Sequence, residues 1–248
     1  MQVHLVDATY ELFRAHFAPR PPVLGKDGIP LSGVSGLVEQ LLFLLREQGA
    51  THVGCATDRV IRSFRNDLYA GYKTDAGMPP ELLAQFPIAE QAIEALGIVL
   101  WPMVEFEADD AIGAAAELFG ADPRVERVVI CTPDKDMAQC VRDERIVLWD
   151  RRRDIVYDDA GVRAKWGVPP ESVPDRLALV GDAADGYPGC RAGATSRRRP
   201  CSPGTATSRR SLPAAAPGRC RGCATRSVSR RRSASTSQTR SSIATSRG

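Results

Sequence analysis

Short apolar runs typical of β-strands alternate, along the first three quarters of the chain, with longer segments that carry apolar residues at helical spacing. Strands are expected at residues 2–6, 52–58, 98–101 and 127–132, and a hairpin at 145–158. Helices are expected at 33–49, 81–97 and 107–120, with a last helix that ends in an acidic turn within 171–185. Because strands separated by helices form parallel sheets, the sequence predicts an α/β fold with a mostly parallel central sheet and helices on both faces.

Composition sets the class of protein. The chain has 248 residues, of which 43% are hydrophobic, and this is enough for a sizeable core. No apolar run approaches the roughly 18 residues of a membrane span, and the first residues lack the pattern of a secretory signal. The seven cysteines do not form a complete zinc motif, since only Cys220 and Cys223 have a suitable spacing. We expect a soluble, cytoplasmic protein with reduced cysteines and no membrane partner.

Charge is distributed unevenly along the chain. Residues 190–248 contain 14 arginines but no lysine, no acidic and no aromatic residue, so the overall net charge of +3 leaves −11 on residues 1–189. A segment with so few apolar side chains cannot offset its folding entropy, and we expect it to be disordered. It is either a basic arm for nucleic acid or, because its residues are those of GC-rich codons, the product of translation out of frame.

Carboxylates follow several of the expected strands. Asp7, Asp58 and the pair Asp134 and Asp136 come directly after apolar runs, which places them at the sheet edge where ligands bind in open α/β folds. Five more acids begin or end helices beside that edge: Glu107, Asp109, Asp110, Asp182 and Asp185. Crowded carboxylates repel one another unless cations neutralise them, so the pattern predicts a metal site. Oxygen ligands without His or Cys favour Mg²⁺ or Mn²⁺, and two such ions about 3.5–4 Å apart are a common device for phosphodiester hydrolysis.

Each acidic position also has a structural interpretation. Acids in the first turn of a helix bind free N–H groups and favour the helix dipole, which alone would explain residues 107–110. A turn followed by a helix cap would explain residues 134–136, and a lone acid after a strand, such as Asp7, is more often a cap than a ligand. The metal interpretation depends on five separate acidic positions lying at the same end of their elements.

A basic and aromatic stretch follows the second expected strand. Its cationic and aromatic residues are Arg62, Phe64, Arg65, Tyr69, Tyr72 and Lys73. Cationic side chains hold phosphate oxygens, and aromatic rings stack unpaired bases. The spacing alone favours a solvated amphipathic helix, so the expected DNA contacts of Arg62, Arg65, Tyr69, Tyr72 and Lys73 depend on the neighbouring acids.

Five motifs carry a resemblance to a known family. LVDATYELFRAHFA, FRNDLYAGYK, FEADDAIG, TPDKDMAQ and LALVGDAADGYPG have the order and spacing of the 5′ to 3′ exonuclease domain of bacterial DNA polymerase I and its flap-endonuclease relatives. The resemblance implies a PIN-like nuclease core over residues 1–189. It also implies that all nine carboxylates belong to the metal site, some through water. Arg65 and Lys73 would be catalytic and lie near the scissile phosphate, in a helical arch at about 59–80 through which a free 5′ end is threaded.

The sequence departs from the family at three places. Pro133 stands where the family usually has glycine, and Gly186 where it usually has asparagine, but neither change removes a carboxylate. After Gly189 the family continues with a Gly-rich helix-hairpin-helix that grips duplex DNA, whereas this chain reads CRAGATSRRRP. Restoring one missing base near codon 190 gives codons compatible with PGWGDKSAAA, close to the family motif. We therefore expect residues 190–248 to be out of frame and the activity of the chain as written to be weak or absent.

The predicted function is that of a Mg²⁺- or Mn²⁺-dependent, structure-specific 5′ nuclease that uses two metal ions on DNA with a free 5′ end or a flap. Lys73 would offset charge on the phosphate, and by the resemblance the products would carry a 5′ phosphate. We expect a stand-alone monomer without a polymerase domain or a nucleotide cofactor. Two alternatives remain open: a non-catalytic nucleic-acid-binding protein that uses the basic tail, and a metal-dependent phosphohydrolase acting on a small substrate.

Overall fold

A single sheet organises the chain. The computed structural model describes residues 1–26 and 28–190, and six strands in this part form the sheet: β1 (Gln2–Asp7), β2 (His52–Asp58), β3 (Val99–Met103), β4 (Arg127–Cys131), β5 (Ile146–Asp150) and β6 (Ile155–Tyr157). Their order is β3-β2-β1-β4-β5-β6, in which β1 to β5 are parallel and β6 pairs antiparallel with β5. The expected mostly parallel sheet and the hairpin at its end are confirmed.

Helices cover both faces of the sheet, as predicted. The helices of the described residues are α1 (Ala8–Phe17), α2 (Ser32–Arg46), α3 (Arg65–Leu68), α4 (Pro80–Leu83), α5 (Phe86–Ala95), α6 (Ala108–Ala121), α7 (Asp159–Trp166) and α8 (Val173–Val180), with 3₁₀ turns at Asp136–Cys140 and Pro170–Ser172. Successive residues of β1 face opposite sides: Leu5 packs in the core formed with α6 and α7, and Val6 in the core formed with α1, α2 and α5. Both are fully buried, and burial of each such side chain contributes roughly 1.5–3 kcal/mol.

The helices differ from the prediction in three respects. The helix expected at 81–97 divides into α4 and α5, because Pro87 is tolerated in the first turn of α5 but would disrupt the interior of a continuous helix. Gln85 is buried between the two helices, and its Oε1 accepts hydrogen bonds from the N–H groups of Gly33 and Val34 at the start of α2. Helices α1 and α7 were not predicted. Both begin at an aspartate cap, Asp7 and Asp158 respectively, whose side chains accept hydrogen bonds from the first turn.

The expected helical arch at 59–80, called the arch segment below, is helical only over Arg65–Leu68. Side-chain hydrogen bonds replace helical ones here: the Ser63 N–H donates to Asn66 Oδ1 at 2.9 Å, and Asn66 Nδ2 donates to the Lys73 carbonyl at 2.9 Å. Side chains that bond the backbone locally compete with helix formation. The arch segment is therefore mostly an irregular loop in this structure.

None of the helices in the described residues is long and apolar enough to cross a membrane. The expected disorder of the arginine-rich tail concerns residues that, beyond Cys190, lie outside the described part of the chain.

Candidate metal centre

Asp7 joins the central strand to the first helix. It ends β1 and caps α1, where its Oδ1 accepts a hydrogen bond from the Tyr10 N–H at 2.8 Å. Its Oδ2 accepts a hydrogen bond from Thr132 Oγ1 at 3.1 Å. Asp7 is therefore a helix cap, as its structural interpretation predicted, and the cap holds its buried carboxylate at the edge of the sheet where the parallel strands end.

Asp58 and Asp134 extend from the strands on either side of β1. Asp58 ends β2, and its Oδ1 accepts a hydrogen bond from the Ala108 N–H at 2.7 Å. Asp134 follows β4 by three residues, and its Oδ1 accepts a hydrogen bond from the Asp136 N–H at 2.9 Å. Because β2, β1 and β4 are parallel neighbours, these acids from distant parts of the chain meet at one edge.

The first turn of α6 adds a second layer of acids. Glu107 is the N-cap, and its N–H donates to Asp110 Oδ2 at 2.9 Å. Both terminal nitrogens of Arg65 donate to the Asp110 carboxylate at 2.7 Å. Glu107 accepts hydrogen bonds from Ser63 Oγ at 2.6 Å and from the Tyr72 hydroxyl at 3.1 Å. The carboxylates of Glu107 and Asp110 are thus satisfied by protein donors, and they anchor the arch segment to α6.

A turn after α8 supplies the last two carboxylates. The Asp182 N–H donates to the Tyr187 carbonyl and the Tyr187 N–H to the Asp182 carbonyl, each at 2.7 Å, which closes the turn. Asp185 Oδ1 lies 3.1 Å from Lys73 Nζ. Lys135 Nζ donates to Asp182 Oδ2.

All nine predicted carboxylates lie at this edge of the sheet. Two clefts of about 380 Å³ and 260 Å³ share Glu107 and Asp109 in their walls. Eight of the nine line one or both clefts: Asp7, Asp58, Glu107, Asp109, Asp110, Asp134, Asp136 and Asp185. Asp182 adjoins the smaller cleft, because a carboxylate oxygen from each of Asp136, Asp182 and Asp185 lies within 4.8 Å of the others.

Burial and mutual repulsion make several of these carboxyl groups hard to ionise. Burial, together with the charges of Asp58 and Asp134, raises the pKa of Asp7 to about 7. Burial and the charges of Asp7 and Asp134 raise the pKa of Asp109 well above its usual range. Burial and the charge of Asp134 raise the pKa of Asp136 to about 6. At neutral pH such a cluster favours bound cations.

The raised pKa of Asp7 predicts a pH-dependent effect of Asp7→Asn on stability in EDTA. As the pH rises from about 4 to about 7, the unfolded chain loses this proton while the folded chain keeps it, so wild-type stability from this group falls. Asparagine does not titrate, so the variant does not lose stability in this way. The difference in the free energy of unfolding, variant minus wild type, should therefore increase by about 1 kcal/mol or more between the two ends of this pH window.

Urea unfolding in EDTA at about pH 4.5 and pH 7.5 measures this difference across the window in which Asp7 titrates. Asp175→Asn, at an exposed position of α8, makes the same chemical change away from the cluster and serves as the control. A difference between Asp7→Asn and wild type that stays constant with pH would contradict the prediction.

Three of the five predicted DNA-contacting residues reach the carboxylates, namely Arg65, Tyr72 and Lys73. Lys73 Nζ lies 3.1 Å from Glu107 Oε2 and 3.1 Å from Asp185 Oδ1. Burial opposes the charge of Lys73, but these two carboxylates outweigh it and raise its pKa above the usual range. The ammonium group therefore stays charged at neutral pH and bridges the first turn of α6 and the turn after α8.

The other two predicted DNA-contacting residues, Arg62 and Tyr69, are exposed. Arg62 forms an exposed ion pair with Asp67 at 3.6 Å. The Tyr69 ring packs edge-on against Tyr187 with ring centroids 6.2 Å apart. Tyr69 thus contacts the turn after α8 without bonding its carboxylates, and Arg62 pairs with an acid outside the metal centre.

Four polar residues that the sequence analysis did not single out form hydrogen bonds with the acidic residues, Thr9 through a backbone N–H and the others through carboxylates: Thr9, Ser63, Thr132 and Lys135. Thr9 Oγ1 accepts a hydrogen bond from the Asp58 N–H at 2.7 Å. Serine and threonine are common in any chain, so their presence alone does not mark a site. Thr132 and Lys135 could have been noticed because they lie within the acidic motif TPDKD.

The arch segment is docked on the turn after α8. Gly186 has a φ of +75°, and a Cβ atom there would lie 2.1 Å from the Gly71 carbonyl oxygen. The Tyr69 hydroxyl donates to the Gly186 carbonyl at 3.4 Å, and the Lys73 N–H donates to the Asp185 carbonyl at 3.2 Å. Only glycine at position 186 allows so close an approach of the two backbones.

The Gly186→Ala substitution is expected to lower the free energy of unfolding by about 1–3 kcal/mol more than Gly167→Ala. Gly167 has the same φ of +75° but no atom within 4 Å of its Cβ position, so this control carries the backbone strain without the clash. Urea unfolding in EDTA measures both variants. Equal losses would show that the Gly71 contact contributes nothing.

The strand order and the acidic crevice at the carboxyl edge define a resolvase-like α/β domain. The chain belongs to the family described as 5′-3′ exonuclease, N-terminal resolvase-like domain, whose model matches residues 2–167. The family resemblance carried by the five sequence motifs is thereby confirmed.

Curated relatives agree with this assignment. The chain is 34% identical over 194 residues to a 5′-3′ exonuclease of Bacillus subtilis, in an alignment that covers 75% of this chain and 64% of the relative. It is 37% identical over 196 residues to the DNA polymerase I of Rhizobium leguminosarum, covering 75% of this chain and 19% of that protein. The chain thus spans less than two thirds of the first relative and about a fifth of the second.

Two solved structures of bacteriophage T5 proteins share the fold. One is a 5′-exonuclease with bound divalent metal ions (zinc), which matches with a TM-score of 0.63 and 18% identity over 77% of this chain and 70% of that one. The other is a flap endonuclease in a pseudo-enzyme–product complex with DNA and metal ions, with a TM-score of 0.61, 20% identity and the same two coverages. At these identities the likeness concerns the fold.

Proposed function

We propose that the chain is the core of a divalent-metal-dependent 5′ nuclease that hydrolyses DNA phosphodiesters. The observation that carries the proposal is the convergence of nine carboxylates on two adjoining clefts, with Lys73 in the wall of the larger one. Membership of the 5′-3′ exonuclease family supports it. The metal ions and DNA named for the two T5 proteins support the same chemistry.

The residues present fit a divalent cation. Asp136 Oδ1 is buried and has no hydrogen-bond partner among the described residues, so it has a free ligand atom beside Asp182 and Asp185. All candidate ligands are carboxylate oxygens, the donors that Mg²⁺ and Mn²⁺ prefer. We assign Asp7, Asp58, Asp109 and Asp134 to one ion and Asp136, Asp182 and Asp185 to a second. Two bound ions would supply an activated water and stabilisation of the leaving oxygen.

The chain's own residues have distinct proposed roles. Glu107 and Asp110 are proposed as metal-site residues that also anchor the arch segment, because Ser63, Arg65 and Tyr72 donate hydrogen bonds to their oxygens and each carboxylate oxygen keeps a further lone pair. Arg65, held by Asp110, fixes the arch segment beside the clefts. Lys73 is the group placed to offset negative charge on a phosphate, since its ammonium group stays charged at the wall of the larger cleft.

The finer features of the function are also proposals. The substrate is DNA with a free 5′ end or a flap, the products carry a 5′ phosphate, and Arg62 and Tyr69 contact DNA outside the clefts. The protein acts as a cytoplasmic monomer without a nucleotide cofactor. Residues 1–189 form the catalytic core, with the arch segment at 59–80, and residues 190–248 replace the helix-hairpin-helix.

One assay tests the proposal against its alternatives. Flap DNA labelled at its 5′ end is incubated with high concentrations of the protein, in Mg²⁺ or in EDTA, and compared with the Asp134→Ala variant. Metal-dependent cleavage that the variant lacks supports the nuclease. Binding without cleavage, lost when residues 190–248 are deleted, would favour a nucleic-acid-binding protein. Hydrolysis of small phosphate esters but not of DNA would favour a phosphohydrolase.

A further inference from the structure

Lys135 lies inside the acidic group that the proposed function assigns to a second metal ion. Its Nζ donates to Asp182 Oδ2 and lies 3.7 Å from Asp136 Oδ1. Asp136, Asp182 and Asp185 each present a carboxylate oxygen within 4.8 Å of the others. The ammonium group thus lies beside two of these three carboxylates, those of Asp136 and Asp182.

The contacts of this lysine differ between its two acidic neighbours. Asp182 receives two donors, since Lys135 binds Oδ2 and the Ala184 N–H donates to Oδ1 at 2.9 Å. Asp136 Oδ1 receives none from the described residues. Lys135 therefore neutralises only part of the group, which leaves one buried oxygen available to an incoming cation.

We propose that Lys135 is an internal counter-ion that holds Asp136 and Asp182 together in the metal-free chain and is displaced when a divalent cation binds there. Like charges a few ångströms apart repel strongly at a partly buried site, so the ammonium group and the cation compete for Asp182. A lysine suits this role because its charge sits on a flexible stem that can move towards solvent. Lys135 is thus a positioning residue that sets the affinity of the second metal position.

The inference predicts opposite effects for two substitutions. Lys135→Met removes the competing charge but keeps an unbranched side chain, so one class of Mn²⁺ site should bind about tenfold more tightly. Lys135→Arg keeps the charge on a planar group that binds carboxylates through two nitrogens, so the same site should bind Mn²⁺ more weakly than in wild type. Without metal, Lys135→Met should lower the melting temperature, and saturating Mn²⁺ should raise it by more than in wild type.

Isothermal titration calorimetry of the full chain with Mn²⁺ in the absence of DNA, together with thermal unfolding in EDTA, measures these effects. Lys165→Met is the matched control, because Lys165 is exposed and packs over the rings of Tyr157 and Trp166 rather than against the clefts. A purely structural lysine would give lower stability without tighter Mn²⁺ binding.

The inference rests on the proposed function, but the two can fail separately. If wild type binds Mn²⁺ and Lys135→Met binds it no more tightly, the counter-ion role is wrong while the metal centre stands. If wild type binds no Mn²⁺, the proposed metal centre and this inference are both wrong. If Lys135→Met does not fold, the Lys135→Arg variant still tests the inference. Unchanged or tighter Mn²⁺ binding by Lys135→Arg would show that residue 135 does not compete with the metal ion.

Discussion

Replacing Asp109 with asparagine is expected to lower metal-dependent cleavage of flap DNA by at least about 10³-fold, measured in the chain with the reading frame restored after Gly189, and to raise the free energy of unfolding in EDTA. Asp109 lies in the wall that the two clefts share, so its loss affects both proposed metal positions. Metal ions contribute several kcal/mol of transition-state stabilisation, and a loss of about 4 kcal/mol corresponds to roughly 10³-fold in rate.

The expected gain in stability has a separate physical cause. Burial and the charges of Asp7 and Asp134 disfavour the ionised form of Asp109, and asparagine removes that charge at almost unchanged volume. In EDTA the variant should therefore unfold at higher urea concentration than wild type, and saturating Mg²⁺ should stabilise it less. Asp175→Asn should change neither property. Lost activity combined with lowered stability in EDTA would contradict the prediction, because it would indicate a damaged fold.

Restoring the reading frame after Gly189 is expected to raise kcat/KM on flap DNA by at least about 10²-fold over the chain as written. All nine carboxylates precede the proposed frame change, so both proteins contain the same metal centre. The restored sequence adds the helix-hairpin-helix that the family resemblance implies, which would hold the duplex by its backbone. Loss of such orientation is costly, since a misplacement of about 1 Å reduces rates by about 10²-fold.

A chain that ends at Gly189 is the control, because it separates any effect of the arginines from the gain due to the hairpin. Binding through the arginines alone should weaken sharply between about 50 and 200 mM salt.

Two outcomes would remove the frameshift hypothesis. Equal flap cleavage by the restored chain and the chain as written would show that the arginine-rich residues replace the hairpin without loss. Gene sequences from independent isolates that keep this frame intact across codons 185–195 would show that the segment is a genuine product.

The acidic edge could be predicted from the sequence because a local rule determines it. An acid at the end of a strand lies at the carboxyl edge whenever the strands are parallel, and the alternation of strands and helices predicted parallel strands. This rule alone was enough to predict the positions of Asp7, Asp58 and Asp134. The structural role of Asp7 as a cap did not exclude it from the cluster: one carboxylate oxygen caps α1, and the other accepts a hydrogen bond from Thr132, which lines the larger cleft together with Asp7.

The arch segment could not be predicted in this way, because tertiary contacts determine its conformation. The single helical turn ends at Leu68. Beyond it the chain forms a loop, which the Asn66 side chain holds by donating a hydrogen bond to the Lys73 carbonyl. The contact between Gly71 and Gly186 joins positions more than a hundred residues apart. The sequence showed that Gly186 departs from the family. Only the structure shows that the glycine allows the Gly71 backbone to approach closely.

The turn closed by Asp182 and Tyr187 has a consequence for the growing polypeptide. Asp182 is synthesised 46 residues after Asp136, an interval of roughly 2–9 s at ribosomal rates of about 5–20 residues per second. The five parallel strands are complete before it emerges, so nascent molecules have the first group of acids while Lys135 has no Asp182 to bind. The proposed metal centre is thus completed only when the last few residues of 1–189 are translated, shortly before the composition changes.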